Sequence, residues 1–416
     1  MNSQDLTRRH FLTAAGIGTL GLVAAACGID STDDAQQELG PELTYNPDLG
    51  GTGVNPVGSI SVSVEAGRLG RDVALVNAQG TAVKGEQSPD RKTFTVSEPL
   101  GYGAEYTWRG TAIGDNGKKA PLRGTFTTLA PDSQINVVVN VADGQTVGIA
   151  TPIILQFDGT IEDKEAVEKA LTVTTTPPTE GAWAWLGEDN GSRAHWRTKE
   201  YFAPGTKVRM DAKLYGVDMG EGAYGAADVT SDFMIGRSQI VKADAASHQI
   251  VVIRDGAPLM TLPCSYGTGD LDRNVTRSGI HVVSEKYEQF NMTNPDAGYF
   301  DIPERWAVRI SNNGEFIHAN PETLGVQGAS NVTNGCINLS LEGAQQYFET
   351  AVYGDPVEVT GTRLDLSEAD GDIYDWTIDW GQWKSMSALG GEPKTKDVPA
   401  TPKGAPVPAS KSKASG

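Results

Sequence analysis

Apolar and polar positions alternate with a period of two along most of the chain, in short runs cut by turn-forming residues. Between Gly51 and about Leu129 the clearest runs are Ile60-Ser-Val-Ser-Val64, Thr93-Phe-Thr-Val96, Tyr106-Thr-Trp-Arg-Gly110 and Gly124-Thr-Phe-Thr-Thr128. Alternation of this kind gives each strand one apolar face, and the spacing of the turns predicts an antiparallel sandwich of immunoglobulin-like type. A second train runs from about Ser133 to Gly236 and includes Ile135-Asn-Val-Val-Val139, Pro152-Ile-Ile-Leu-Gln-Phe157 and Lys207-Val-Arg-Met210. One helical stretch, residues 163–171, interrupts it, and the Pro131-Asp132 turn separates the two trains. A third block, from about Ser238 to Thr360, opens with two strands around an Asp255-Gly256 turn.

Beyond that block the period changes. Trp376, Trp380 and Trp383 fall at i, i+4 and i+7, which predicts a helix over residues 373–389 with three rings on one face. Such a stripe needs a groove to bury it. A clasp onto the second or third block supplies one, and a carbohydrate-stacking face is the functional alternative. The remaining segments lack periodicity. Residues 28–50 are polar and acidic and read as a flexible tether; residues 390–416, rich in Pro, Ala, Lys and Ser, read as a disordered tail.

The first residues carry a different pattern. Thr7-Arg-Arg-His-Phe-Leu12 precedes an uncharged stretch, residues 13–26, too short and too rich in Ala and Gly for a membrane span, so it reads as a signal h-region. Paired arginines before Phe-Leu resemble a twin-arginine export signal, which implies a bacterial source and an exported protein. Ala24-Ala-Ala-Cys27-Gly28 resembles a lipobox, so Cys27 is the expected lipidation site and anchors the chain to the outer face of the plasma membrane. The alternative is a plain export signal with an incidental cysteine. The expected organisation is therefore 1–27 signal, 28–50 tether, 51–130 and 131–236 sandwiches, 237–362 catalytic block, 363–389 clasp and 390–416 tail.

Composition adds two exclusions. With 49 Gly and 22 Pro the chain reads as mostly β. Its net charge of -19 argues against a nucleic-acid partner, which would require a basic face. No metal-ligand spacing or phosphate-binding glycine loop is present, so neither metal nor cofactor is expected. Besides Cys27 the cysteines are Cys264 and Cys336, and a disulfide between them is the structural alternative to a catalytic role.

The chemistry concentrates at Thr333-Asn-Gly-Cys-Ile-Asn338, with 17 residues between His318 and Cys336. A cysteine is a useful nucleophile only as thiolate, and a nearby imidazole supplies that by taking the proton. Gly335 lets the backbone approach a substrate and aim an amide at a developing oxyanion. Of the other histidines, His10 lies in the signal, His195 beside Trp196, His248 beside a polar turn, and His281 in a strand-like run. His318 ends a strand, where a catalytic side chain can face a loop.

This third block resembles the L,D-transpeptidase catalytic domain (the YkuD family), whose hallmark is a histidine followed at this distance by Ser/Thr-His-Gly-Cys-x-Asn or a variant of it. Arg254-Asp-Gly256, Thr276-Arg-Ser-Gly279 and the Gly298-Tyr299 pair carry the resemblance further. The sandwiches and the tryptophan segment look like the two immunoglobulin-like domains and C-terminal clasp of mycobacterial-type enzymes. The resemblance implies that Cys336 attacks a peptidoglycan stem peptide at its third residue, that His318 moves the proton, and that terminal D-Ala leaves. It implies an oxyanion hole from the Gly335 and Cys336 amides with the Tyr299 hydroxyl as helper. Thr333, Asn334 and Asn338 are implied near the substrate or in shaping the loop, and carbapenems are implied as acylating inhibitors.

Asn334 departs from the pattern, because the family usually carries a second histidine there. An amide cannot take a proton at working pH, which leaves proton transfer to His318 alone. Two further readings stay open: a wall-binding lipoprotein with a quiet catalytic domain, and an L,D-carboxypeptidase in which water resolves the acyl-enzyme.

Overall fold

A computed structural model describes residues 40–187, 191–371 and 373–390. The expected export signal with Cys27, the first part of the expected tether and all but the first residue of the expected tail lie outside these residues. The described chain is mostly β, in three successive blocks with few helices.

In the first block one sheet orders the strands Leu43–Asn46, Ser61–Val64, Thr93–Val96 and Gly85–Gln87, and another orders Thr125–Thr127, Glu105–Arg109 and Ala74–Asn77. Val62 and Phe94 from the one meet Leu75, Trp108 and Phe126 from the other in a single core. The sheet begins inside the stretch expected as tether. Leu43-Thr-Tyr-Asn46 pairs antiparallel with Ser61–Val64, and Tyr45 packs its ring 6.1 Å from that of Trp108. The alternating Leu43 and Tyr45 supply the apolar edge that the acidic surroundings obscure.

The second block pairs a sheet of Val137–Val139, Ile153–Phe157, Arg193–Thr198 and Gly181–Trp185 with one of Thr146–Val147, Val229–Ile235, Lys207–Ala212 and Leu171–Thr176. Phe157, Trp183, Trp196, Met210 and Phe233 fill the space between. The predicted helix is Lys164–Lys169, with Asp163 as its cap: Ala166 N–H donates to Asp163 Oδ1 at 2.8 Å.

The third block holds a five-stranded sheet and a four-stranded one. The latter runs Glu285–Asn294, Tyr299–Arg309, Phe316–Ala319 and Ile337–Leu339, with the last two strands parallel. Helix Leu341–Thr350, capped by Ser340, buries Ala344 and Tyr347 in the core shared with both sheets. At the junction with the second block, Arg237 donates its guanidinium to both carboxylate oxygens of buried Asp355 at 2.6 Å. Beside this pair Gly354, at φ +87, meets Thr151 so closely that a side chain would clash.

The tryptophan segment is not one helix. A 3₁₀ turn at Asp375–Thr377 ends at extended Ile378, and only Trp380–Ser385 is α-helical. Asp379 causes the break, because its carboxylate accepts from Gln382 N–H at 3.0 Å and starts a new helix. The three rings still converge, on Arg197 of the second block. Its guanidinium carbon lies 4.9, 5.2 and 4.7 Å from the ring centres of Trp376, Trp380 and Trp383. Trp383 is fully buried and donates to Ala182 O at 2.9 Å. The stripe is thus a clasp whose three rings close on Arg197.

Candidate active site

Parallel pairing of Phe316–Ala319 with Ile337–Leu339 sets His318 opposite Asn338, two positions after Cys336. The long connection between these strands thereby returns the cysteine to the histidine, close enough for the two side chains to interact electrostatically, while the Cys336 thiol donates to Gly314 O at 3.6 Å. His318 is 3% exposed, whereas Cys336 is half-buried, so the nucleophile is reachable and its partner is not. No disulfide forms: Cys264 and Cys336 are both free thiols. Burial pushes the Cys264 thiol up to about 12, against a hydrogen bond with Tyr266 that lowers it, which leaves Cys264 inert.

The other ring nitrogen fixes the chemistry of His318. Its Nδ1 lies 2.9 Å from Ala319 O. A carbonyl only accepts, so Nδ1 carries the hydrogen and Nε2 of the neutral ring is left to accept a proton from the thiol. Burial alone would depress the His318 pKa. The Cys336 sulfur and Glu304 outweigh it and raise the group to about 10, so the imidazolium form is held beside the sulfur at neutral pH.

Hydroxyl groups hold the loop at both carbonyls. Fully buried Thr276 donates to Gly335 O at 2.7 Å, and Thr333 donates to Cys336 O at 2.6 Å. Gly335 adopts φ +120, a backbone state that excludes side chains. Its own N–H donates back to Thr333 Oγ1 at 3.2 Å, so the amide expected to share an oxyanion is used within the loop. The Cys336 N–H belongs to the same peptide unit as the Gly335 carbonyl and therefore points away from Thr276. It has no hydrogen-bond partner among the described residues. One of the two anticipated amides is thus available.

The structure also places the remaining anticipated residues. Tyr299 lies close enough to Cys336 for their charges to interact; burial and then Cys336 raise its pKa, so the hydroxyl keeps its proton and can donate. Tyr299, Tyr287 and Phe290 pack with Cys336 around Met292 and Ala307 of the neighbouring hairpin and Phe316 of the strand beside it. Thr333 is buried in the loop, Asn338 is buried with its backbone paired to Ser265, and Asn334 is exposed. Of the other histidines, His195 and His281 are fully buried and His248 bonds Asn331 at 2.8 Å, each remote in role from the thiol. Sequence reasoning passed over Glu304, whose carboxylate lies 3.4 Å from His318 Nδ1, and assigned Thr276 no role beyond its turn.

Comparison with known proteins identifies the family. Residues 51–218 match the bacterial Ig domain, and residues 238–359 match the L,D-transpeptidase catalytic domain. L,D-transpeptidase 5 of Mycobacterium tuberculosis is 57% identical over 388 residues, 92% of this chain and 86% of that protein. The chain belongs to the L,D-transpeptidase family. L,D-transpeptidase 2 of the same species is 34% identical over 402 residues, 92% of this chain and 96% of its own. Among solved structures, LD transpeptidase LdtMt1 in complex with imipenem is 29% identical, aligns over 55% of this chain and 100% of that one, and gives a TM-score of 0.46. Within this L,D-transpeptidase, His318 and Cys336 both lie in the matched catalytic domain.

Proposed function

We propose that this L,D-transpeptidase works through an acyl-enzyme on Cys336 and joins tetrapeptide stems of peptidoglycan by 3→3 cross-links. The observation that supports it best is a reachable thiol against a buried imidazole whose Nδ1 is tied to Ala319 O. The Cys336 thiolate attacks the carbonyl carbon of the third stem residue. The carbon–nitrogen bond to D-Ala then breaks, a thioester forms, and the imidazolium of His318 gives its proton to the departing amine. A side-chain amine of a second stem attacks the thioester, loses its proton to His318 and regenerates the thiolate. The Cys336 N–H and the Tyr299 hydroxyl would donate to the tetrahedral oxyanion.

The same nucleophile would open the strained carbonyl of a carbapenem and hold it as an adduct. Export and lipidation at Cys27 would place the enzyme on the outer face of the plasma membrane, where its substrate lies. Purified protein incubated with disaccharide-tetrapeptide should release D-Ala and yield a dimer whose mass and fragmentation give a 3→3 bond. D-Ala release with tripeptide as the sole product would identify an L,D-carboxypeptidase instead. Neither product from a folded protein would favour the quiet, wall-binding reading.

A further inference from the structure

His318 has a second acceptor that its family resemblance does not assign. Glu304 Oε2 lies 3.4 Å from Nδ1, on the side of the ring opposite the nitrogen that serves the thiol. At that distance it adds little as a hydrogen bond, because Ala319 O at 2.9 Å already takes the N–H. What it adds is charge: a carboxylate with a side chain only 16% exposed, next to a ring that is itself buried.

The backbone is specially built at this point. In the pairing of Tyr299–Arg309 with Phe316–Ala319, Arg305 faces Ala319 and Val308 faces Ile317. Two residues, Trp306 and Ala307, therefore stand opposite one, and that one is His318. This is a β-bulge, the device that redirects side chains beside active sites. Trp306 takes φ +54, a left-handed state unfavourable for a bulky residue. The alternation resets across it, so that Ala307 and Val308 are both buried, while Glu304 before it turns partly inward.

We propose that Glu304 is a positioning residue of the Cys336–His318 pair: through the bulge at Trp306 its carboxylate is held against His318 Nδ1 and stabilises the imidazolium that the acyl-transfer cycle needs. This rests on the acyl-enzyme reading above. The other groups facing His318 do not duplicate the role. Cys336 approaches from the neighbouring strand and is the partner being served, and Tyr299 is a neutral phenol. Arg305 stacks its guanidinium 4.9 Å from the Trp306 ring centre, and Glu315 is turned to Ser311 and toward His281. Glu304 also appears among the causes that raise the His318 pKa.

The test uses the full chain with ε-¹³C-labelled histidine, His318→Gln to assign its signal, and the variants Glu304→Gln and Glu304→Asp. Two profiles against pH are recorded: the His318 carbon shift and the rate of Cys336 acylation by meropenem, read by intact mass. Glu304→Gln should lower the His318 midpoint by on the order of one pH unit and move the high-pH limb of acylation down with it. Glu304→Asp should recover part of both shifts. Midpoint and limb unchanged in Glu304→Gln, with His318→Gln strongly impaired, would overturn the role of Glu304 and leave the dyad standing. Acylation of the wild type unaffected by His318→Gln would overturn the dyad, and with it this inference.

Discussion

Of the three histidines that lie beside a carboxylate among the described residues, His195 and His318 do opposite things. His195 Nδ1 is 3.0 and 3.2 Å from the two oxygens of Asp375, with both side chains wholly excluded from solvent. Its Nε2 is buried and has no hydrogen-bond partner among the described residues. His318 Nδ1 faces Ala319 O and Glu304, but its other edge meets Cys336, which solvent can reach. The pairing is alike, and the surroundings of the second nitrogen decide the outcome. Around His195 they join the second block to the clasp. Around His318 they place a base against a nucleophile.

The largest effect that separates the two is on rate. His318→Gln should lower acylation of Cys336 by about 10²–10⁴-fold, the usual worth of a positioned acid–base group. His195→Gln should leave that rate unchanged and lower the unfolding temperature. Equal losses of rate from both variants would erase the distinction. Next comes the clasp itself. Trp383→Ala removes a fully buried ring and should cost about 3–5 kcal/mol in denaturant unfolding, while thiol alkylation of the folded fraction stays normal.

The pH dependence sharpens the comparison further. His318 is raised from 6.5 to about 10 in the folded chain, so its protonation stabilises the fold. That contribution is fully present below about pH 6.5, the unfolded value, and is lost as pH rises through the folded value near 10. The stability gap between wild type and His318→Gln should therefore be widest in acid and close toward pH 10. A gap that does not vary with pH would contradict the imidazolium assignment. The smallest effect belongs to Thr276→Val. It loses one hydrogen bond to Gly335 O, worth about 1 kcal/mol, and should slow acylation by roughly fivefold with little change in melting.

The site was legible in the sequence where chemistry is local. Cys336 after a glycine, and a histidine near the end of a strand with 17 residues between the two, are readable because one connection brings both to adjacent parallel strands. Glu304 was not, because its approach depends on a bulge at Trp306 that strand alternation does not announce. The Gly335 amide illustrates the same limit: a glycine signals an unusual backbone, but not that its N–H turns to Thr333. In the fold, alternation revealed the sandwich strands. It overlooked Leu43–Asn46, a short strand in an acidic setting, and merged a 3₁₀ turn and a helix into one element because the tryptophan spacing continued across Asp379. The Asp375–His195 pair was not legible either, because its two members lie 180 positions apart in sequence.

The most direct test of the central claim is intact-mass analysis after brief incubation with meropenem, comparing wild type with Cys336→Ala and Cys264→Ala. An activated Cys336 predicts one covalent adduct on the wild type and on Cys264→Ala, and none on Cys336→Ala. An adduct that persists in Cys336→Ala, or no adduct on folded wild-type protein, would contradict it.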